Sequence, residues 1–102
     1  ILLDEPTANL DIHHQMGFLD LILTLNREKG LTMVMASHDM NIASEFCDRL
    51  ILLQNGRIYK MGTPQEVITK ENIESVFGCE VGIDQNPVSG MPRINLSKRG
   101  VY

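Results

Sequence analysis

Aromatic residues are scarce in this sequence: three Phe and two Tyr are all it has. With 43% hydrophobic content, that shortage favours an aliphatic α/β core over an all-β sandwich. Cysteine is scarce as well. Cys47 and Cys79 have no partner at metal-ligand spacing, so a reduced cytosolic chain is a simpler reading than a lone disulfide. No basic block exists either. Nine Lys and Arg stand against thirteen Asp and Glu, giving a net charge of −4, which argues against nucleic acid as a partner. No apolar run approaches the ~20 residues that span a bilayer, and no basic-then-apolar leader is present. At 102 residues the sequence is one small domain or a piece of a larger one, with a marginal core. Because Ile1 already reads as strand, the expectation is a truncated chain.

What is present is ordered. Ile1–Leu3 reads as the end of a buried strand. Asp11 can cap a helix with Ile12, Met16, Leu19 and Leu23 at helical spacing, widened by Phe18, Ile22 and Leu25. Arg27, Lys29 and then Gly30 supply the cations and the left-handed residue that a helix end favours. Leu31–Ala36 is a second apolar strand, nearly continuous as parallel strands are. Strand, helix, strand is a βαβ unit, expected to cross over right-handed with parallel strands.

Further along, "DMNIASEFC" reads as a short helix with Ile42, Ala43 and Phe46 inward, and "RLILLQ" as a third buried strand. Asn55-Gly56 signals a tight hairpin, with Arg57–Met61 returning antiparallel. Thr63, Pro64 and Glu66 form the start of a helix by capping box. A last helix carries Ile73, Val76 and Phe77 and stops at Gly78. "CEVGID" is an expected strand, followed by a Pro/Gly/Ser-containing tail. There is no internal repeat and no low-complexity tract.

Two parallel strands joined by one helix end at the same sheet edge, where open α/β sheets bind ligands. Asp4 and Glu5 follow the first strand and Ser37 and His38 the second, so Asp4, Glu5 and His38 can meet across more than thirty residues of sequence. Successive strand side chains face opposite ways, and Pro6 restricts Glu5 to extended backbone. One acid can therefore hold a hydrated metal ion while the other faces a water, which a nearby carboxylate can orient and deprotonate. Two acids alone more often just end a strand. His13 and His14 lack a third ligand and read as solvent-facing. Met33, Met35 and Met40 read as core filler, and Asp39 as a helix cap.

The string "ILLDEPTANLD" resembles the Walker B strand and D-loop of ABC-type ATPases, and "ASHD" resembles their H-loop. The "CDRLILLQNGRI" hairpin and the "GTPQEV" helix start follow in the same family order. The resemblance implies an α/β fold, the C-terminal part of a P-loop NTPase domain of RecA-like, ABC type, with parallel strands, a β-hairpin and short C-terminal helices. Residues 1–84 would be the partial ATPase domain and 85–102 a C-terminal tail. By position, Asp4 would hold Mg²⁺ through water, Glu5 would be the general base for ATP hydrolysis and His38 the switch histidine at the γ-phosphate. Ala8, Asn9, Leu10 and Asp11 would be the D-loop facing a second ATPase subunit. Ala8 and Asn9 depart from the more usual Ser-Ala, which leaves Asp11 as the firmest match.

No G-x-x-x-x-G-K-[ST] loop occurs in the sequence, nor an LSGGQ-like signature. The chain alone is therefore expected to be inactive. In the family, the strand carrying the phosphate loop lies between the H-loop strand and the strand at 49–54, so its neighbours should expose unpaired backbone and apolar faces. "LDIHHQ" and "FGCEVGIDQNPVSGMPRI" look most like import ATPases for iron–siderophore, haem or cobalamin complexes. That likeness implies cofactors ATP and Mg²⁺, a homodimeric partner, transmembrane permease subunits, no nucleic acid and no direct membrane insertion. It also implies a cytoplasmic position, peripheral at the inner face of the cell membrane. The alternatives are a non-transport ABC ATPase fragment and a short non-catalytic module that binds a partner ATPase subunit.

Overall fold

The computed structural model describes residues 1–96. It divides into two compact units, Ile1–Asp39 and the chain from Met40 onward. The end of the expected tail, 97–102, lies outside the described residues.

The first unit is a βαβ element. Strand β1 (Leu2–Asp4) pairs in parallel with β2 (Val34–Ala36), Leu2 opposite Val34, Leu3 opposite Met35 and Asp4 opposite Ala36. Helix α1 (Ile12–Lys29) joins them. Its N-cap is Asp11, whose carboxylate accepts the His14 N–H, and its C-cap is Gly30 at φ 64°. A left-handed backbone there costs glycine little. The Gly30 N–H donates to the Asn26 carbonyl at 3.1 Å, closing the last turn.

Burial in this unit is thinner than the sequence suggests. Leu19 is the one buried hydrophobe of α1, whereas Ile12 and Met16, expected inward, are 78% and 54% exposed. The half-buried stripe is Phe18, Ile22, Leu23 and Leu25. Neither strand is buried as expected: Leu2 and Val34 face solvent and only Leu3 and Met35 are half-buried. The strand expected over Leu31–Ala36 shortens to three residues. Extended backbone persists only where the short β1 offers a ladder partner, and β2 has no second neighbour among the described residues.

The second unit holds the core. Helix α2 (Met40–Phe46) precedes β3 (Leu50–Gln54) and β4 (Arg57–Gly62), an antiparallel hairpin. The Asn55-Gly56 turn has positive φ at both residues, 53° and 73°, the backbone that matches strand twist in two-residue hairpins. Leu52 pairs with Lys60 but Leu53 with Ile58, which leaves Tyr59 as a bulge. β3 is not wholly buried as expected but alternates, Leu50 and Leu52 inward, Ile51 and Leu53 outward. That is the pattern of a sheet covered on one face.

Thr63 then starts α3 (Pro64–Val67) through a complete capping box. The Thr63 N–H donates to Glu66 Oε1 at 3.0 Å and the Glu66 N–H to Thr63 Oγ1 at 3.3 Å. A Cβ on Gly62 would come within 2.9 Å of the same Glu66 oxygen, so the box and the glycine fit together. Helix α4 (Lys70–Phe77) is capped by Thr69 and ends at Gly78, φ 69°. Ile73 is buried as expected, and Phe77, in the last turn, is exposed.

Two features of this unit depart from expectation. In α2 the fully buried residue is Ser44, while Ile42, Ala43 and Phe46 are only half-buried. The strand expected over Cys79–Asp84 appears as β5 (Gly82–Gln85), and part of the expected tail, β6 (Pro92–Asn95), returns to pair with it in a second hairpin. Ser44 Oγ donates to the Pro92 carbonyl at 2.6 Å, and Asn41 brackets Ile94, its amide donating to the Ile94 carbonyl and its oxygen accepting the Ile94 N–H. The core so closed comprises Leu50, Leu52, Val67, Ile68, Ile73, Val81 and Ile94, with Met40, Ala43, Cys47, Val76 and Ile83 around it. No helix among the described residues is long and apolar enough to cross a membrane.

Candidate functional site

The expected site residues lie in the first unit, where β1 and β2 end together. Asp4 is the last residue of β1 instead of following it, and sits opposite Ala36. The Glu5 N–H continues the ladder by donating to the Ala36 carbonyl at 2.7 Å. At Glu5 the backbone turns left-handed, φ 46°, although a residue before proline is expected to stay extended. The strained turn ends the strand, so strand alternation no longer sets where the Glu5 side chain points.

That carboxylate meets the end of the second strand. Glu5 Oε1 accepts the backbone N–H of His38 at 3.0 Å and also contacts His38 Nδ1. The pair spans 33 residues of sequence. If Nδ1 carries the proton that Glu5 accepts, Nε2 of a neutral ring is left as an acceptor. The His38 side chain is 95% exposed and that of Glu5 35%, so the imidazole reaches outward from a partly sheltered carboxylate. Ser37 Oγ accepts the Asp39 N–H at 3.0 Å, which shapes the turn that carries His38.

The segment after Glu5 is a pair of tight turns. The Ala8 N–H donates to the Glu5 carbonyl at 3.1 Å and the Leu10 N–H to the Thr7 carbonyl at 3.3 Å. Thr7 is buried, while Ala8, Asn9, Leu10 and Asp11 are exposed. Asn9 has φ 66°, a backbone that Asn tolerates far better than Ala. The unusual residue at this position thus suits its own conformation. Asp11 Oδ1 accepts the His14 N–H at 2.9 Å and contacts His14 Nδ1 at 2.8 Å. These bonds, the backbone one foremost, hold the Asp11 carboxyl below its ordinary value. His14 is therefore tied into the cap of α1.

The donor set suits one kind of metal. Asp4 offers an exposed hard oxygen at a strand tip. Mg²⁺ is commonly held by one or two carboxylates, with waters and phosphates completing its shell. No group of three or more His, Cys, Asp or Glu side chains forms a metal cage among the described residues. Asp4 therefore fits a hydrated magnesium ion brought with a nucleotide and does not fit a resident all-protein site.

Comparison with known proteins decides the family. The chain is 45% identical over 94 residues to the ferric enterobactin transport ATP-binding protein FepC of Escherichia coli, covering 92% of this chain and 35% of that protein. It is 45% identical over 94 residues to the hemin import ATP-binding protein HmuV of Pseudomonas aeruginosa, covering 92% and 36%. A solved inward-facing structure of a metal-chelate type ABC transporter superposes with a TM-score of 0.82 at 26% identity, over 100% of this chain and 42% of that one. The chain is a segment of an ABC-type ATPase. The proteins it is similar to include ATP-binding proteins of ferric enterobactin transport, hemin import and cobalamin import. This ABC ATPase segment spans about a third of the length of the curated relatives it matches. No protein-family model matches it.

Within the ABC ATPase segment, sequence reading named Asp4, Glu5 and His38 together. The structure joins Glu5 to His38 and places Asp4 one residue before Glu5, at the end of β1. Two features at the site escaped that reading. One is the left-handed backbone at Glu5, for which the sequence carries no signal because proline argues the other way. The other is the role of His14, which an Asp and a His three positions apart at a helix start could have suggested.

Proposed function

We propose that this segment supplies the acidic and imidazole half of the hydrolytic site in the ATP-binding subunit of an ABC importer for iron–siderophore, haem or cobalamin complexes. The observation that carries the reading is the Glu5–His38 contact between the ends of two parallel strands. ATP and Mg²⁺, when bound, would supply the phosphoryl group and the cation that neutralises its charge. Asp4 would hold that cation through water. Glu5 orients the attacking water and takes its proton, the work of a general base. His38 fixes Glu5 Oε1 through its backbone N–H, and its exposed ring would be available to contact the γ-phosphate.

Ala8, Asn9, Leu10 and Asp11 present an exposed turn to a second ATPase subunit, and the dimer drives a separate transmembrane permease from the cytoplasmic side of the membrane. The names of relatives such as a ferric enterobactin transport, a hemin import and a cobalamin import ATP-binding protein support this assignment. The phosphate loop and signature that hydrolysis needs are not in this sequence. The 102-residue chain by itself therefore hydrolyses no ATP above background. Mg²⁺-dependent turnover by the purified chain that disappears with Glu5→Gln would refute this.

The decisive experiment uses the protein that carries this segment together with a phosphate loop. Glu5→Gln should slow ATP hydrolysis about 100- to 10,000-fold, the usual weight of a general base, while ATP remains bound. Unchanged turnover would remove Glu5 from its role.

A further inference from the structure

Two adjacent side chains in the first turn of α1 reach back to the segment that precedes the helix. Gln15 Nε2 donates to the Thr7 carbonyl at 3.4 Å, the same oxygen that accepts the Leu10 N–H. His14 Nδ1 lies 2.8 Å from Asp11 Oδ1, the same oxygen that accepts the His14 N–H at 2.9 Å. One side chain thus holds each end of the exposed turn Ala8–Asp11.

Capping α1 does not require the imidazole. An N-cap carboxylate needs a backbone N–H from the first turn, and the His14 N–H supplies it. The ring contact is a second bond on an oxygen that already caps. What it adds is orientation, because with Nδ1 as donor the carboxylate is gripped by a side chain as well as by backbone. The bonds from His14, backbone before side chain, also hold the Asp11 carboxyl below its ordinary value. An exposed turn that docks on another chain loses affinity to the ordering of its own side chains, and a turn held in advance avoids that loss.

We propose that His14, seconded by Gln15, is a positioning residue that holds Asp11 and the turn before it in the shape that meets a second ATPase subunit. The inference rests on the reading of Ala8–Asp11 as the face towards that subunit. It assigns His14 no contact with nucleotide or with the partner. The pair is exposed, His14 by 68% and Asp11 by 67%, so its weight is modest. The expected loss without the ring is about two- to fivefold for each turn, hence about four- to 25-fold for a dimer that holds two.

The test uses the intact ATPase that carries this segment, with Mg²⁺ and the β,γ-imido analogue of ATP, and reads the dimer dissociation constant by sedimentation. His14→Ala should weaken the dimer by that factor. His14→Asn places an amide nitrogen where Nδ1 stood and should return the constant to within about twofold of the parent. His14→Gln carries its amide one bond further out and should behave as Ala. A role confined to helix formation gives the opposite order, because Gln is a better helix former than Asn and suits this third helical position. Thermal unfolding of all three variants should stay near the parent's, since each keeps the backbone bond to Asp11. Ala8→Arg, a bulky cation on the same exposed turn, should abolish the dimer. If Ala8→Arg dimerises as the parent does, the turn faces no second subunit and both readings fall. If Ala8→Arg breaks the dimer but His14→Ala does not weaken it, or Asn repairs it no better than Gln, the inference about His14 falls alone.

Discussion

Residues 1–39 and residues 40–96 are nearly opposite in what they hold. The first unit carries Asp4, Glu5, His38 and the exposed turn through Asp11, yet Leu19 is its one fully buried hydrophobe. The second carries none of those residues but has a core of seven buried side chains. The candidate site sits on a thinly packed βαβ element, and the larger hydrophobic core lies in the other unit. A parallel two-stranded pair with both faces largely open is marginal on physical grounds, because parallel sheets are normally covered on each side. The Glu5–His38 contact forms although little hydrophobic surface around it is buried among the described residues.

The contrast can be broken by measurement. The largest expected effect is catalytic and confined to the first unit. In the intact protein, Glu5→Gln should slow turnover by orders of magnitude and shift the unfolding midpoint hardly at all. A large loss of stability would mean that the pair holds the fold together.

Next comes Ile73→Ala in the second unit. Removing a fully buried aliphatic should cost about 2–5 kcal/mol in denaturant unfolding. Amides of β1 and β2 should exchange under conditions where α4 in the parent chain stays protected. Equal protection of both regions would dissolve the distinction between them.

Smaller is Ser44→Ala, which leaves the Pro92 carbonyl without its 2.6 Å donor and should cost about 1–3 kcal/mol. The loss should appear as faster exchange in β6, with α1 unaffected.

Smallest is Thr63→Ala. Loss of a cap of this kind costs about 0.5–2 kcal/mol. Its pH dependence has a definite sign. The backbone and hydroxyl of Thr63, in that order, hold the Glu66 carboxyl below its ordinary value. A carboxyl lowered on folding stabilises the native state above its unfolded pKa, and that contribution is lost as pH falls through the folded value. The gap between parent and variant should therefore narrow in that acid window. A gap that widens there would show that Glu66 is not the partner of Thr63.

Most of the fold is legible from local chemistry. Asp11 and Gly30 bound α1, Asn55-Gly56 turns the hairpin, and Thr63, Pro64 and Glu66 start α3, each as its residue types require. The parallel pairing of β1 with β2 follows from strand–helix–strand order, and with it the meeting of Glu5 and His38. What escaped depends on long-range packing. Periodicity counts Ile12 and Met16 as inward, but no layer among the described residues covers them. Ser44 reads as a surface residue until Pro92, 48 positions later, is known to lie beside it. Strand β6 contains Pro92 and Arg93, poor strand signals singly. Its pairing is supported by the Arg93 guanidinium forked onto Asp84 at 3.0 and 2.7 Å.

The hairpin that ends the described chain acts as a stopper. A shorter gene product stopping at Asp84 would lose Ile94 from the interior and strand the side chains of Asn41 and Ser44 beside an uncorked hydrophobic floor. Deleting β6 would thus act well beyond the residues removed.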